Sequence, residues 1–364
     1  PNFECTNMGE TEMIFGGIDV LTDKIKEVKL KKPKAIIVIS SCPAGIIGDD
    51  IDKVKSLKEE NMPVITIKAD GNIAGDYLQG MLMSYTTLAE QIIRKDVKMV
   101  PSTVNIVFEK VVAKNTGSNF KIIENFLSAM DVRVNCRFLC ETTFDRLEKF
   151  LSAPLNLLAN DDYTGKMLKN FFAEKYGCKF LDESFPIGFD ETKNWLMSVG
   201  GFFGKKEKAL EIILQNEALY KKEVERLKPS LSGKKLMIIT YNHSLDWILM
   251  AAMDVGIEIV KIGILNFSQD SGFRTNLGTS FNVEENYDKE KRMSDFAKYC
   301  PDIVLTNYES SVNSGEYLSD TIPMCPDVGF YSGINMVSRW SNLIKLNLQG
   351  EWKNDEQLFK KYYS

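Results

Sequence analysis

Histidine is nearly absent from this chain: His243 is the single one in 364 residues. Sites that need two or more imidazoles from one chain, the His-rich zinc hydrolases among them, are thereby excluded. Long apolar runs are missing too. The longest are strand-like stretches of about 5–8 residues, far short of the ~18 that span a bilayer. No charged-then-apolar leader opens the sequence. These absences predict a soluble cytoplasmic protein with no membrane partner. No basic stripe is present, and Asp and Glu outnumber Lys and Arg by 50 to 45, which argues against a nucleic-acid partner. Standard nucleotide loops are lacking as well. There is no Gly-x-Gly-x-x-Gly, and the segment from Gly200 to Lys206 fails the phosphate-loop spacing. Val199 stands where the first Gly belongs and Lys206 where Ser or Thr belongs. Seven cysteines, an odd number scattered along a long chain, make no disulfide framework. In a reducing compartment they remain thiols, some of them available to metal.

What is present is a globular composition, 44% hydrophobic and 26% charged, on a chain too long for one ordinary domain. Strand-like and helix-like stretches alternate, the pattern of parallel sheets. A helix over 12–28 precedes a buried-looking strand, 34–40. A polar helix over 49–61 leads to a strand at 63–68, and the loop from Asp70 to Gly75 opens a helix over 76–94. Val100-Pro101-Ser102 marks a boundary, after which strands at 105–108, 132–140, 155–159 and 179–181 alternate with helices to 203. A charged helix, 205–228, carries Ile212, Ile213, Leu219 and Val224 as its apolar stripe. Pro229 is predicted to end it. Strands at 235–240, 258–264 and 302–306 come next, with helices near 244–254, 284–300 and 334–346. The predicted fold is α/β with three Rossmann-like domains, each a mainly parallel sheet flanked by helices, over 1–100, 101–230 and 231–364.

The richest segment is Ser41-Cys42-Pro43-Ala44-Gly45-Ile46-Ile47-Gly48-Asp49-Asp50. It places Cys42 at the carboxyl end of a strand, where open α/β sheets bind ligands, beside two glycines that permit tight turns and close approach. Alone, Cys42 reads either as a small buried hydrophobe or as a ligand. Asp49 and Asp50 are adjacent, so on a helix they point about 100° apart and do not share a proton. They read instead as supports for the turn and the helix start. The segment resembles the nitrogenase component 1 family, and the resemblance continues through Met8–Gly17, Lys32–Lys34, Tyr176–Phe180, Pro186–Thr192, Leu231–Ile239, Pro301–Leu305 and Gly329–Gly333. It implies that Cys42 is a thiolate of an iron–sulfur cluster, 4Fe-4S or larger, with Gly45 beside it and Cys5 as a lesser candidate. One thiolate cannot hold a cluster that needs about four ligands. The resemblance therefore implies further cysteines, from a segment preceding Pro1 or from a homologous subunit in a homo- or heterodimer, or tetramer. It also implies an ATP-dependent iron protein as electron donor.

Other cysteines lack ligand spacing. Cys136 and Cys140, read as i and i+4 of a strand, would stand about 13 Å apart and could not share one metal; Cys178, Cys300 and Cys325 are isolated. In the α-type nitrogenase subunit the metal cofactor is held by a cysteine after a strand similar to Leu155–Leu158, and here Asn160 stands in that place. The corresponding histidine is missing around Gly329–Arg339. Asn160-Asp161-Asp162 reads either as a helix cap or as pocket lining, and His243 either as a proton donor or cofactor contact or as a capping residue. By resemblance the chain is a subunit of a nitrogenase-like reductase relaying electrons to a substrate site near Asn160 and His243. The alternatives are a cofactor-assembly scaffold, a tetrapyrrole reductase subunit or, from another class, a non-catalytic protein binding a metal chelate or small ligand.

Overall fold

The structure, a computed structural model, describes residues 2–60, 62–71, 75–266, 272–307, 318–345 and 361–362. Its helices are α1 (Glu10–Phe15), α2 (Ile18–Lys29), α3 (Cys42–Ile46), α4 (Tyr77–Ile92), α5 (Thr116–Ala129), α6 (Phe144–Glu148), α7 (Tyr163–Tyr176), α8 (Phe189–Phe203), α9 (Lys206–Leu231), α10 (Asp246–Asp254), α11 (Arg292–Tyr299) and α12 (Ser332–Lys345). The described strands form three sheets, of two, four and five strands. Contacts divide the chain into two compact units, one of residues 1–109 and 133–182, the other of 110–132 and 183–364. The two smaller sheets share the first unit.

In the first unit, β1 (Ile36–Ile39) pairs in parallel with β2 (Val64–Ile67). Strand β1, buried-looking in the sequence, is buried on one face: Ile36 and Val38 point inward, while Ile37 and Ile39 are 45% and 62% exposed. The inward pair packs with Ile25 of α2 and with Ile51, Val54, Met62 and Val64. The predicted helix over 49–61 is instead a short 3₁₀ turn, Ile51–Leu57. Its apolar residues Ile51, Val54 and Leu57 recur every third position, which matches the three-residue turn better than an α-helical one.

The second sheet runs in the order β4-β3-β5-β6, from β3 (Thr103–Val107), β4 (Arg133–Arg137), β5 (Leu155–Leu158) and β6 (Phe180–Ser184). Strand β4 stops three residues short of its predicted end, because Leu139 takes a left-handed φ of 61° and the Cys140 N–H turns back to the Arg137 carbonyl. Cys136 and Cys140 are thus not on one strand. The core against α4 and α7 is aromatic: the Phe138 ring lies 5.1–5.9 Å from those of Phe172, Phe150 and Tyr85.

The second unit holds a parallel sheet in the order β11-β10-β7-β8-β9: β7 (Lys235–Thr240), β8 (Glu258–Ile264), β9 (Val283–Glu285), β10 (Ile303–Thr306) and β11 (Leu318–Thr321). Neither β9 nor β11 was foreseen, and α11 starts later than the helix predicted there. Pro229 does not end α9, which runs on to Leu231. A proline one turn from a helix end forfeits a single N–H bond, and Leu227 and Leu231, both fully buried, hold the last turn in place. The stripe of α9 also differs from the predicted one. Ala209, Ile213, Tyr220, Leu227 and Leu231 are buried, at helical spacing, whereas Leu219 is 56% exposed.

Two segments singled out in the sequence meet in this unit. Gly188 donates its N–H to the Gly329 carbonyl at 3.1 Å and to Ser332 Oγ at 2.8 Å, and the Gly329 N–H bonds the Pro186 carbonyl. Both glycines adopt left-handed φ, 87° and 96°. Gly333 sits so close to α10 that a Cβ there would fall 2.0 Å from the Trp247 carbonyl oxygen. A backbone obstacle cannot swing aside, so Gly333→Ala is expected to destabilise the protein by about 2 kcal/mol or more. Denaturant unfolding followed by tryptophan fluorescence checks this; an unchanged midpoint would show that α10 and α12 can part freely.

Candidate functional site

Cys42 opens α3 directly after β1 and Ser40-Ser41, and its side chain is exposed. The turn around it is supported from beneath. A Cβ on Gly45 would fall 2.4 Å from Asp70 Cγ, and Asp70 is itself buried at 4% exposure. Only glycine at 45 lets α3 rest on the chain leaving β2. Gly71, the next residue, would place a Cβ 3.9 Å from the Cys42 sulfur. Gly48 takes a φ of 75°, which reverses the chain. Asp49 then accepts the Gly17 N–H at 2.8 Å, tying the Phe15-Gly16-Gly17 turn to this one. Asp50 caps the 3₁₀ turn by accepting the Asp52 N–H at 3.3 Å and pairs with Lys68. The two carboxylates thus serve different backbone groups, as their adjacency implies. Asp52, bonded by Lys55, Thr66 and Lys68, is held well below the usual carboxylate range.

The other predicted residues are dispersed. Cys5 is exposed, and the Asn7 N–H points at its sulfur at 3.5 Å. Among the described residues no three or more of His, Cys, Asp and Glu converge as a metal site. Since an iron–sulfur cluster takes about four ligands, the described residues do not by themselves present a complete set. Of the exposed thiols, Cys5, Cys42 and Cys300, Cys42 is the one just past the carboxyl end of a strand, which fits the role of a single ligand. Cys136 and Cys140 are buried, and burial pushes both thiols up to about 11. Both are therefore protonated and unreactive at neutral pH.

Asn160 and His243 belong to different units. Asn160, half-buried, donates its side-chain N–H to the Phe108 carbonyl at 3.0 Å. Asp162, two residues on, caps α7 by accepting the Gly165 N–H at 3.0 Å. The cap reading holds for Asp162, while Asn160 braces the end of β3. His243 comes after β7 and accepts the Arg274 N–H on its carbonyl at 3.0 Å, with both ring nitrogens shielded from solvent. Sequence reasoning missed its neighbours. Asn307 donates to Asn242 Oδ1 at 2.7 Å and accepts the Tyr241 N–H at 3.1 Å. These residues lie just past the carboxyl ends of β10 and β7, where the strand order reverses. Glu109 and Arg137, a buried ion pair just past β3 and at the end of β4, were missed too. The signal available was their place at strand ends. The Gly200–Lys206 segment runs from the end of α8 into α9, so no strand precedes it; Lys205 and Lys206 line an open hollow of about 480 Å³, and Lys205 and Lys208 both pair with Asp131.

Residues 1–345 match the family described as nitrogenase component 1 type oxidoreductase. The nitrogenase molybdenum-iron protein alpha chain of Methanosarcina barkeri is 27% identical over 270 residues, covering 71% of this chain and 49% of the relative. The alpha chain of Methanothermobacter thermautotrophicus is 25% identical, covering 83% and 65%. The nitrogenase iron-molybdenum cofactor biosynthesis protein NifE of Clostridium pasteurianum is 26% identical, covering 74% and 59%. The chain thus spans about half to two-thirds of the length of these relatives. Among solved structures, nitrogenase Cp1 at pH 5 superposes with a TM-score of 0.68 at 20% identity, over 96% of this chain and 78% of the other. Parallel sheets flanked by helices are common to many proteins, but a family match running from the Cys42 turn through the Gly188–Gly329 contact to α12 is not: this chain belongs to the nitrogenase component 1 type oxidoreductases.

Proposed function

We infer that this chain is a cluster-bearing subunit of a nitrogenase-like assembly, in which Cys42 supplies one thiolate and a homologous subunit, or cysteines preceding this segment, supply the rest. The observation that carries the reading is the exposed Cys42 thiol on a turn held rigid by Gly45 against Asp70 and by Asp49 against Gly17. Ligand sites work when the supporting shell fixes the donor, and here two other segments brace the turn that carries the sulfur. An iron–sulfur cluster bound there would supply one-electron storage and transfer. The polypeptide's part is to hold the sulfur at the surface, facing a partner, and to keep the turn from moving. An ATP-dependent iron protein is the electron donor that the family membership supports.

A second reading, a scaffold on which a nitrogenase cofactor is assembled, is favoured by the NifE cofactor biosynthesis proteins among the relatives. Asn160 has its amide engaged with the Phe108 carbonyl, and its oxygen and nitrogen are poor ligands for a soft metal–sulfide cluster. On either reading this chain does not hold a molybdenum-type cofactor through thiolate and imidazole.

Anaerobically purified full-length protein is expected to be brown and to contain iron and acid-labile sulfide. Cys42→Ala should lower the iron content to less than about half, because one of about four cluster ligands is gone. Unchanged iron would remove Cys42 from the site. Light scattering of the cluster-loaded protein should give at least twice the mass of one chain; a strict monomer in that state contradicts a shared cluster. Electron delivery separates the two readings. If the loaded protein turns over a small substrate with an iron protein and ATP, the relay stands; if it only passes a cluster to an apo-acceptor, the scaffold does.

A further inference from the structure

The four-stranded sheet of the first unit contains a row of amides that crosses it. Asn105 on β3 is fully buried and Asn156 on β5 nearly so. Asn105 Nδ2 donates to Asn156 Oδ1 and to the Phe150 carbonyl, both at 2.8 Å, and Asn135 on β4 donates to Asn105 Oδ1 at 2.8 Å. At the far end Asn156 Nδ2 donates to the Lys179 carbonyl at 2.9 Å, and Asn135 reaches the Lys149 carbonyl at 3.2 Å. Buried amides are costly to leave unbonded, so a satisfied row of this kind tolerates one strand alignment and penalises the others.

The row coincides with an irregularity. Strands β3 and β4 pair Val104 with Val134 but then Asn105 with Cys136, which makes Asn135 an extra residue on β4. Side chains alternate along a strand, so one added residue turns every later side chain to the other face. Strand β3 pairs with β5 on its other side without such a break. Beyond the bulge, Arg137 pairs with Ile106. Its Nε and Nη2 meet the two Glu109 oxygens at 2.9 and 2.8 Å, and the side chains are only 6% and 3% exposed. Nη2 also lies 3.2 Å from the Cys140 sulfur, and Nη1 reaches Glu141. Glu109 comes directly after Phe108, whose φ of 65° is rare for a bulky side chain. The Phe108 carbonyl is the group that Asn160 bonds.

We propose that the Asn135 bulge, clamped by the bonds of Asn135 to Asn105 and to the Lys149 carbonyl, is a positioning device that aims Arg137 at Glu109 and so fixes the Phe108–Glu109 turn and Asn160 at the carboxyl edge of the sheet. Unbroken alternation would turn Arg137 away and leave the Glu109 carboxylate buried without its guanidinium, an arrangement with a large desolvation penalty. The bulge is therefore what makes the ion pair possible. The pair in turn holds one side of the left-handed Phe108 turn while Asn160 holds the other. Asn135 and Arg137 act through their neighbours, as positioning residues, on the edge where open α/β sheets bind ligands.

Cys140 is a built-in reporter, since its sulfur touches Arg137 and burial keeps the thiol protonated, pushed up to about 11. Asn135→Ala removes two amide bonds at a half-buried position of the bulge. Asn156→Ala removes bonds at the other end of the row and leaves the Asn135–Asn105 contact intact. Peptide-resolved alkylation of the folded protein is expected to show Cys140 reacting about tenfold faster, or more, in Asn135→Ala and in Arg137→Lys, through local opening of the strand end. In Asn156→Ala the rate should stay within about twofold of wild type, even where its melting temperature falls as far. Asn135→Ser, which keeps a short donor, is the milder second variant and should react at an intermediate rate. The proposal is overturned if Cys140 stays protected in Asn135→Ala and Asn135→Ser. It is equally overturned if Cys140 reactivity tracks melting temperature alone across the variants, because the row would then contribute stability without aiming anything.

Discussion

Parallel strand pairing constrains everything else in this molecule. Each parallel strand must be succeeded by a crossover before the next can join the sheet, so the carboxyl ends of all strands collect along one edge. In the first unit the edge of the two-stranded sheet carries Cys42 after β1 and Asp70 and Gly71 after β2, and that of the four-stranded sheet carries Phe108 and Glu109 after β3, Arg137 at the end of β4 and Asn160 after β5. In the second unit the edge carries Tyr241, Asn242 and His243 after β7 and Asn307 after β10. Chemistry-bearing residues appear at these ends because loops there are free of the ladder and can spend their backbone bonds on shaping a site. The opposite ends, by contrast, are occupied by helix caps and linking turns.

Within that constraint the two sheets of the first unit shape their edges by different means. Around Cys42 the devices are small: glycines at 45 and 48, and carboxylates that accept backbone N–H groups. They leave a sulfur exposed. Around β3, β4 and β5 the devices are buried and charged, with a bidentate Arg137–Glu109 pair and a row of amides. An ion pair of this sort contributes little net stability against an apolar alternative. What it supplies is a single arrangement of the strand ends, which is the quantity a binding edge needs.

Much of the fold is legible in the sequence, and the illegible part has a physical reason. The α/β alternation is legible because strands such as Ile36–Ile39, Leu155–Leu158 and Lys235–Thr240 are short apolar runs bounded by polar turns. The Cys42 turn is legible because its residues are contiguous, so spacing alone constrains their geometry. Strand β11 is not, because three of the four residues of Leu318–Thr321 are polar. Its Asp320 is 1% exposed only because Trp340 Nε1 and Arg339, some twenty residues later, reach its carboxylate. The 3₁₀ turn at Ile51–Leu57 is disguised by a composition equally suited to an α-helix. The Arg137–Glu109 pair is invisible for a deeper reason. It depends on one extra residue in β4, and a bulge alters alternation without leaving any mark in the residues themselves. Pro229 shows the converse, since a strong local signal is overruled by the burial of Leu227 and Leu231 on either side of it.

The approach of Gly333 to Trp247 has a bearing on how the chain can change over time. The atom that crowds Gly333 is the backbone oxygen of residue 247, not the indole. Most tight contacts in a core are between side chains, so enlarging one partner can be offset by shrinking the other, and the two positions drift together. Here no replacement at position 247 would remove the obstacle, because every amino acid carries the same carbonyl. Position 333 therefore has no compensating partner within the chain: it is mutationally isolated, and a lineage that lost this glycine could recover the packing only by moving a whole helix.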